Sequence, residues 1–259
     1  MDNASATVVS TAGTREHYGD QNRIYELASV TKLLVAYAAL VALEEEAISL
    51  DLPAGPTGST VRHLLAHTSG LAFAEQKVQA DPGTKRIYSS AGFEVLADTI
   101  AAETSIAFTD YLDEAVFQPL GMTDSTLPGS AGHGARSTVQ DLEVFASELL
   151  TPTLVSAETL QAATSIQFDG LPGILPGYGN QKPNDWGLGF ELRDGKTPHW
   201  TGAANSPRTF GHFGQSGTFL WVDPDAGLAT VVLTDLAFGE WAKPLWPELS
   251  DEILHNNPR

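Results

Sequence analysis

A serine and a lysine three residues apart precede the most apolar stretch of the chain. Ser29 and Lys32 lie immediately before the apolar run at residues 33–43. On a helix, residues i and i+3 share a face, so the Lys32 amine can approach the Ser29 hydroxyl. Serine is a poor nucleophile until a neighbour takes its proton, and a lysine made neutral by burial can do so. The pair also fits a helix-capping serine followed by a surface lysine.

A tyrosine and a second serine follow a Pro-Gly turn and precede another helical pattern. Tyr88 could receive or relay the serine proton, and Ser90 could orient either a substrate carbonyl or the lysine. A packed tyrosine beside a capping serine would have the same sequence. These two residues are therefore candidates on position alone.

A glycine-rich segment, Gly-His-Phe-Gly-Gln-Ser-Gly at 211–217, leads directly into a strand pattern. Glycines such as Gly214 let an edge strand approach a ligand closely, and a backbone N–H there could form half of an oxyanion hole. We expect His212 to lie in the active-site cleft that this edge strand borders. A glycine-rich bulge with a hydrogen-bonded histidine is the alternative.

The elements that must position these groups are strands at both ends of the chain with helices between them. The pattern predicts an α+β fold in which an antiparallel sheet, built from both termini and flanked by helices, carries an inserted helical lobe. We expect one catalytic domain over 1–259. Within it, residues 1–48 and 185–259 form an α/β lobe and residues 49–184 a mainly helical lobe.

A long segment without a helix or strand pattern, residues 170–185, precedes Trp186 and contains three prolines. Long loops in compact domains are often functional. We hypothesise that this loop, with Trp186, forms a wall of the pocket that receives the acyl group.

The charge balance restricts the partners. The chain of 259 residues has 32 acidic and 14 basic residues, a net charge of -18. Such a surface repels nucleic acid and anionic membranes, so we expect neither as a partner. The sequence leaves the oligomeric state open.

Metal and redox chemistry find little support in the composition. The chain has no cysteine, which excludes a disulfide, a thiolate nucleophile and a cysteine-ligated metal. Only His63 and His67 have the His-x-x-x-His spacing of a zinc pair on a helix, and no glutamate follows His63. We therefore expect no metal and no cofactor. The first residues lack a signal-peptide pattern, so the sequence predicts a cytoplasmic location.

Taken together and in order, Ser29-x-x-Lys32, Tyr88-x-Ser90 and His212-x-Gly214 resemble the motifs of the serine β-lactamase and penicillin-binding-protein superfamily. The class C β-lactamase-like hydrolases, which include esterases and D-amino-acid peptidases, are the most similar group. The stretches Leu-Ala-Ser-Val-Thr-Lys at 27–32, His-Thr-Ser-Gly-Leu at 67–71, Pro-Leu-Gly-Met at 119–122 and Trp-Gly-Leu-Gly-Phe at 186–190 are also typical of it. The resemblance extends over nearly the whole chain.

The resemblance implies a role for each matched residue. Ser29 would be the nucleophile, with Lys32 and Tyr88 sharing the proton transfers. The backbone N–H groups of Ser29 and Gln215 would form the oxyanion hole. His212 stands where many relatives have the lysine of a Lys-Thr-Gly motif.

Three departures from the family pattern concern the substrate. Ser90 replaces the asparagine usual after Tyr-x, His212 is less reliably cationic than lysine, and Phe213 and Gln215 replace small hydroxyl residues. These changes favour a serine esterase or amidase acting on small substrates. A D-alanyl carboxypeptidase or β-lactamase is the first alternative. A ligand-sensing or scaffold protein with little turnover is an alternative of another class.

Overall fold

The sheet joins the two ends of the chain. The computed structural model describes residues 3–258. The strands are β1 (Ala4–Ser10), β2 (Gly13–Tyr18), β3 (Tyr25–Glu26), β4 (Arg136–Ser137), β5 (Gly173–Leu175), β6 (Gly179–Gln181), β7 (Glu191–Leu192), β8 (Phe210–Gly214), β9 (Thr218–Asp223) and β10 (Leu228–Thr234). Six of them form one antiparallel sheet in the order β2-β1-β10-β9-β8-β7.

The pairing of β1 with β10 confirms the predicted sheet. Ala4 faces Thr234 and Ser10 faces Leu228, so the first strand lies beside the last. Every residue of β10 is buried, which is typical of a central strand covered on both faces. Together with the helices, this arrangement is the α+β fold expected from the sequence.

The helices lie mainly in the middle of the chain. They are α1 (Thr31–Glu44), α2 (Val61–Leu65), α3 (Ser90–Thr104), α4 (Phe108–Leu112), α5 (Gln118–Leu120), α6 (Val139–Leu150), α7 (Ala157–Ala163) and α8 (Ala242–Asn256). A wider helical turn over Asp113–Phe117 joins α4 to α5. Among residues 3–258, no helix is long and apolar enough to cross a membrane.

Helix α1 is the centre of the main core. Twelve of its residues, from Thr31 to Ala42, are buried, because the helix is apolar on every face. Each fully buried leucine, such as Leu33 or Leu40, contributes about 1.5–3 kcal/mol to folding. This burial holds the helix rigidly, and with it Ser29, which lies just before the helix.

The sheet is covered on both faces. One face packs with α1 and α6 through Val9, Leu220 and Val231, and the other packs with α8 through Trp221 and Val232. Helix α6 lies within residues 49–184, which the sequence assigned to the helical lobe, yet it packs against β1 and β10. The predicted lobe boundaries are otherwise not tested by this arrangement and stay predictions.

Two features of the fold concern the β7 edge of the sheet and the segment 170–185. Strand β7 pairs only with Phe210 and Gly211, so the second half of β8 has no neighbouring strand on that side. The segment 170–185 is not an irregular loop, because β5 and β6 pair within it as a short hairpin. The hairpin turn at Gly177 has a φ of 79°, which glycine adopts without strain.

Candidate active site

A strained turn presents Ser29 at the beginning of α1. Ala28, the residue before it, has a φ of 45°, which is uncommon for a residue with a side chain. The Leu27 carbonyl accepts hydrogen bonds from the Val30 N–H at 3.1 Å and the Thr218 hydroxyl at 2.9 Å. These contacts, one within the turn and one from β9, hold the turn in place, as is common for strained residues at functional sites.

Gly214 of β8 packs directly behind this turn. A Cβ atom at Gly214 would lie 2.4 Å from the Leu27 carbonyl oxygen and 3.0 Å from the Ala28 Cβ. Only glycine allows this approach. The strand and the turn that carries Ser29 are therefore in direct contact.

Lys32 is completely buried beside Ser29. Its Nζ lies 3.3 Å from Ser29 Oγ, 3.1 Å from Ser90 Oγ and 2.6 Å from the Gly132 carbonyl oxygen. It also lies 4.6 Å from the centre of the Tyr88 ring. Burial lowers the pKa of Lys32 to about 7, because the ammonium form loses its hydration. A substantial fraction of the side chain is therefore neutral at neutral pH.

The contacts of the neutral amine determine where its lone pair points. A neutral lysine has two N–H bonds and one lone pair. The Gly132 carbonyl can only accept, so it takes one N–H, and the Ser90 hydroxyl can accept the other. The lone pair then remains for the hydroxyl proton of Ser29, the third neighbour. This arrangement allows Lys32 to act as a general base toward Ser29.

The hydroxyl of Tyr88 lies 3.2 Å from Nε2 of His212. The other ring nitrogen, Nδ1, lies 2.6 Å from the Phe213 carbonyl, which only accepts, so Nδ1 carries the proton. Nε2 is then an acceptor, and the Tyr88 hydroxyl donates to it. Burial, reinforced by Lys32, lowers the pKa of His212 to about 3, so this side chain is neutral at pH 7.

Tyr88 is a phenol and not a phenolate in this site. Burial raises its pKa above the ordinary value of 10.0, and the nearby Ser29 hydroxyl offsets only part of that effect. Of the two groups near Ser29, Lys32 is therefore the one that can accept a proton at neutral pH. Tyr88 can donate or relay a proton.

Trp186 packs among the aromatic rings of the site. Its ring centre lies 4.6 Å from that of His67, 5.8 Å from that of Tyr88 and 5.4 Å from that of His212. The backbone before it is held by the buried guanidinium of Arg86, which donates to four carbonyl oxygens. These belong to Ala66, Gln167, Phe168 and Asn184.

A narrow cavity of about 60 Å³ opens in front of Ser29. Its lining is mostly apolar or aromatic and consists of Ser29, Phe73, Tyr88, Leu175, Pro176, Trp186, Glu191, His212, Phe213 and Gln215. Leu175 and Pro176 belong to the 170–185 segment. The segment and Trp186 thus line this pocket, and that the pocket receives the acyl group stays a hypothesis.

Glu191 is the only Asp, Glu, Lys or Arg residue in this lining. It is buried and accepts hydrogen bonds from Lys196, from His199 Nε2 at 3.0 Å and from Trp200 Nε1 at 2.6 Å. Burial alone would raise its pKa, but the charge of Lys196 and the contact with His199 outweigh burial and bring it to about 2. The described lining contains no lysine or arginine, and its histidine, His212, is neutral at pH 7. These lining residues therefore offer no cation to a substrate carboxylate.

The two backbone groups expected to form the oxyanion hole border the same pocket. Within residues 3–258, the N–H groups of Ser29 and Gln215 donate no hydrogen bond to a protein acceptor. The Gln215 carbonyl accepts from the Phe238 N–H at 2.9 Å, which fixes the β8–β9 turn. Both N–H groups can therefore bind a substrate oxygen, and their role in the reaction stays a prediction.

Comparison with known proteins decides the family. The sequence profile of the β-lactamase family matches residues 5–254. The chain belongs to the β-lactamase family. A crystal structure described as a β-lactamase of Mycobacterium bovis is 58% identical with a TM-score of 0.98, and the match covers 99% of this chain and 96% of that one.

More distant similarities are to proteins with other names. Penicillin-binding protein 4* of Bacillus subtilis is 27% identical over 59% of this chain, and a D-alanyl-D-alanine-carboxypeptidase/endopeptidase of Escherichia coli is 24% identical over 46%. These matches span only 41% and 40% of the lengths of those two relatives. A hydrolase with promiscuous acyltransferase activity shares the fold at 17% identity, with a TM-score of 0.79, over 96% of this chain and 93% of that one.

The structure brings most of the predicted site residues of this β-lactamase-family chain together. Six border the pocket: Ser29, Tyr88, Trp186, His212, Phe213 and Gln215. Lys32 lies behind Ser29 and reaches it directly. Ser90 and Gly214, expected to bind substrate, do not border the pocket: the Ser90 hydroxyl contacts Lys32, and Gly214 packs against the turn before Ser29.

Other residues of the site were missed from the sequence. Phe73, Leu175, Pro176 and Glu191 line the pocket, and Gly132 supplies the shortest contact of the Lys32 amine. None of them belongs to a recognisable motif. The Pro-rich character of segment 170–185 was the only signal, and it pointed to the segment as a whole.

The histidine pair His63 and His67 makes protein contacts. Nδ1 of His63 lies 2.9 Å from the Thr60 hydroxyl, and Nδ1 of His67 accepts from the Ser89 N–H at 3.2 Å. No group of three or more His, Asp or Glu side chains within residues 3–258 is arranged to hold a metal ion. His67 instead packs edge-on against Trp186.

Proposed function

We propose that this β-lactamase-family chain hydrolyses small carboxylic esters or amides through a covalent acyl-enzyme on Ser29. The observation that carries the proposal is the contact of Lys32 with Ser29. A fully buried amine with a pKa of about 7 lies 3.3 Å from the hydroxyl that it would deprotonate. A serine hydroxyl beside such a base is the usual arrangement of an activated nucleophile.

The acylation step follows from the groups around Ser29. Its Oγ attacks the substrate carbonyl carbon while the hydroxyl proton moves to the Lys32 lone pair. The backbone N–H groups of Ser29 and Gln215 bind the negative oxygen of the tetrahedral intermediate. The bond to the leaving group then breaks, Tyr88 delivers a proton to the departing oxygen or nitrogen, and the Lys32 ammonium returns a proton to Tyr88. The acyl group remains as an ester on Ser29.

Deacylation is the reverse sequence with water as the nucleophile. Water loses a proton to Lys32, directly or through Tyr88, and its oxygen attacks the acyl carbon. The bond from that carbon to Ser29 Oγ breaks, Ser29 Oγ takes a proton back from the Lys32 ammonium, and the carboxylic acid leaves. In the resting site His212 accepts the hydrogen bond of Tyr88, which orients the phenol.

The charges of the pocket favour neutral substrates. The lining has no lysine or arginine, His212 is neutral at pH 7, and Glu191 is an anion. A net charge of -18 further disfavours anions. A β-lactam or a D-alanyl peptide carries a carboxylate that would find no cationic partner. The narrow, largely apolar cavity suits a short acyl chain.

A β-lactamase or D-alanyl carboxypeptidase is the second candidate. It is favoured by the 58% identity to a protein described as a β-lactamase and by the carboxypeptidase among the distant relatives. The absence of a cationic group in the described pocket lining argues against it. A protein that is acylated but turns over slowly, as a ligand sensor would be, is a third possibility.

A substrate panel separates these candidates. Initial rates are measured with p-nitrophenyl acetate and butyrate, a chromogenic cephalosporin and a D-alanyl-D-alanine peptide, for wild type and Ser29→Ala. Ser165→Ala, an exposed serine away from the pocket, is the matched control. We expect turnover of the esters with wild type and Ser165→Ala only.

Two other results would change the proposal. Faster turnover of the cephalosporin or the peptide than of either ester would favour the second candidate. Durable acylation without turnover would favour a sensor. The cytoplasmic location expected from the sequence stays a prediction, which fractionation of the producing cells tests.

A further inference from the structure

The carbonyl of Gly132 controls the direction of the Lys32 amine. At 2.6 Å it is the shortest contact of Nζ, and it fixes one N–H because it can only accept. Gly132 also packs against Ser90, since a Cβ atom at Gly132 would lie 2.8 Å from the Ser90 Cβ. A small shift of this carbonyl would turn the lone pair away from Ser29.

The segment that carries Gly132 has no regular secondary structure, and Ser130 organises it. The Ser130 carbonyl accepts from the N–H groups of His133 at 3.1 Å and Gly134 at 2.6 Å. The Ser130 hydroxyl accepts from the Gly132 N–H at 3.0 Å. The same hydroxyl donates to the carboxylate of Glu94. Gly132 is therefore linked on its N–H side to Glu94 and on its carbonyl side to Lys32.

Glu94 comes from a rigid element close to the site. It lies on α3, one turn after Ser90, which contacts Lys32 directly. The helix thus approaches the lysine in two ways, through Ser90 and through the chain of hydrogen bonds from Glu94 to Ser130 to Gly132. Serine hydroxyls bonded to a carboxylate are strongly oriented, because such hydrogen bonds are charge-assisted.

We propose that Glu94 is a positioning residue, which through Ser130 and Gly132 aims the amine of Lys32 at Ser29. The inference rests on the proposed function, because it concerns the base of that reaction. Glu94 makes no contact with Ser29 and does not border the pocket. It acts on the nucleophile only through the lysine.

The charge of Glu94 gives it a second effect on the same amine. It raises the pKa of Lys32 and thereby opposes burial, which is the larger influence and lowers it. The other titratable groups that face Lys32 are Tyr88, His67 and His212. Tyr88 is a phenol, and burial lowers the pKa of both histidines, so all three are uncharged at pH 7. Glu94 is thus the charged neighbour that opposes the effect of burial on the pKa of Lys32.

Two substitutions separate the hydrogen bond from the charge. Glu94→Gln keeps an oxygen that can accept from Ser130 but removes the charge. Ser130→Ala keeps the charge but breaks the link to Gly132. Asp98→Asn, an exposed carboxylate one turn further along α3, is the matched control.

The variants are compared by the pH dependence of kcat on p-nitrophenyl acetate. For Glu94→Gln we expect a near-normal plateau and an acid limb shifted down by roughly half a pH unit, about a threefold higher relative rate on that limb. For Ser130→Ala we expect an unshifted limb with kcat lowered roughly tenfold at every pH. Asp98→Asn should match wild type in both.

Titration of Lys32 by NMR of ¹³Cε-labelled lysine provides a readout that needs no turnover. A downward shift of its pKa in Glu94→Gln, but not in Ser130→Ala, supports the inference even if wild type proves inactive on every ester, which would defeat only the proposed function. Full kcat in Ser130→Ala would overturn it, and so would an unchanged Lys32 pKa in Glu94→Gln. Asp98→Asn shifting the Lys32 pKa as much as Glu94→Gln would also overturn it.

Discussion

Tyr88 donates a hydrogen bond to Nε2 of His212 over 3.2 Å, and His212 in turn donates from Nδ1 to the Phe213 carbonyl. The histidine is therefore a neutral hydrogen-bond acceptor. It orients a phenol instead of binding an anion. Burial lowers the pKa of Lys32 to about 7, so Lys32 is the group beside Ser29 that can accept a proton at neutral pH.

Removing the Tyr88 hydroxyl should slow the reaction without disturbing the fold. Tyr88→Phe keeps the ring contacts with His67 and Trp186 but loses the group that relays the proton. We expect kcat on p-nitrophenyl butyrate to fall by about 10²–10⁴-fold with little change in KM. Tyr111→Phe, which removes a hydroxyl bonded to Glu45 far from the pocket, is the control. Equal kcat in wild type and Tyr88→Phe would refute a proton role for Tyr88.

The kcat of ester hydrolysis should fall at acidic pH. Lys32 must be neutral to accept a proton, so kcat should fall about tenfold per pH unit below a pKa of about 7. His212 has a pKa of about 3 and cannot produce this limb. A pH profile of wild type and His212→Asn tests both statements. A limb that vanished in His212→Asn would assign the titration to the histidine.

The buried lysine should cost stability in a pH-dependent way. Its pKa is about 7 in the folded protein against an ordinary value of 10.5, so between these values the unfolded chain binds more protons. Wild-type stability therefore gains from Lys32 as the pH rises through this window, and the penalty is complete below it. Lys32→Met removes the titrating group. We expect the Tm difference, variant minus wild type, to be larger near pH 6 than near pH 10.

Thermal melts of wild type and Lys32→Met across this window give the result. The absolute Tm difference includes the unpaired Gly132 carbonyl, which does not depend on pH, so only the change of the difference with pH is diagnostic. A difference that stayed constant from about pH 6 to about pH 10 would mean that Lys32 titrates at its ordinary pKa.

The hairpin of segment 170–185 should set the length of the acyl chain. Leu175 is buried and lines the cavity, whereas its neighbour Ile174 is 66% exposed on the opposite face of the same strand. Leu175→Ala should raise kcat/KM for p-nitrophenyl hexanoate relative to acetate by roughly tenfold, because it lengthens an apolar cavity. Ile174→Ala is the matched control. The same chain-length preference in wild type and both variants would contradict the hypothesis that this hairpin limits the length of the acyl chain.

The part of the site that the sequence reveals is the part encoded locally. Ser29 and Lys32 are one helical turn apart, and Tyr88 and Ser90 flank the beginning of α3, so their types and spacing suffice. The acceptor of Lys32 is Gly132, a hundred residues away in the chain and in a segment without periodicity. Such contacts arise from tertiary packing, and nothing in the local sequence distinguishes this glycine from the others.

The fold divides in the same way. The terminal strands and the apolar helix α1 were predicted because alternation and uniform hydrophobicity mark them clearly. The β5–β6 hairpin was missed, because its strands have three residues each and are separated by Pro176, Gly177 and Tyr178. The sheet contact of α6 was also not predicted, since an amphipathic helix does not specify which surface covers its apolar face.

The central claim is a covalent intermediate on Ser29, and rapid-quench mass spectrometry tests it most directly. Wild type is mixed with p-nitrophenyl butyrate, quenched in acid and measured intact, then digested to locate the modified peptide. The account predicts one butyryl group, carried by Ser29, that disappears as the substrate is exhausted, and no adduct in Ser29→Ala. An adduct on another residue, or a Ser29→Ala variant that hydrolyses the ester at the wild-type rate, would contradict it.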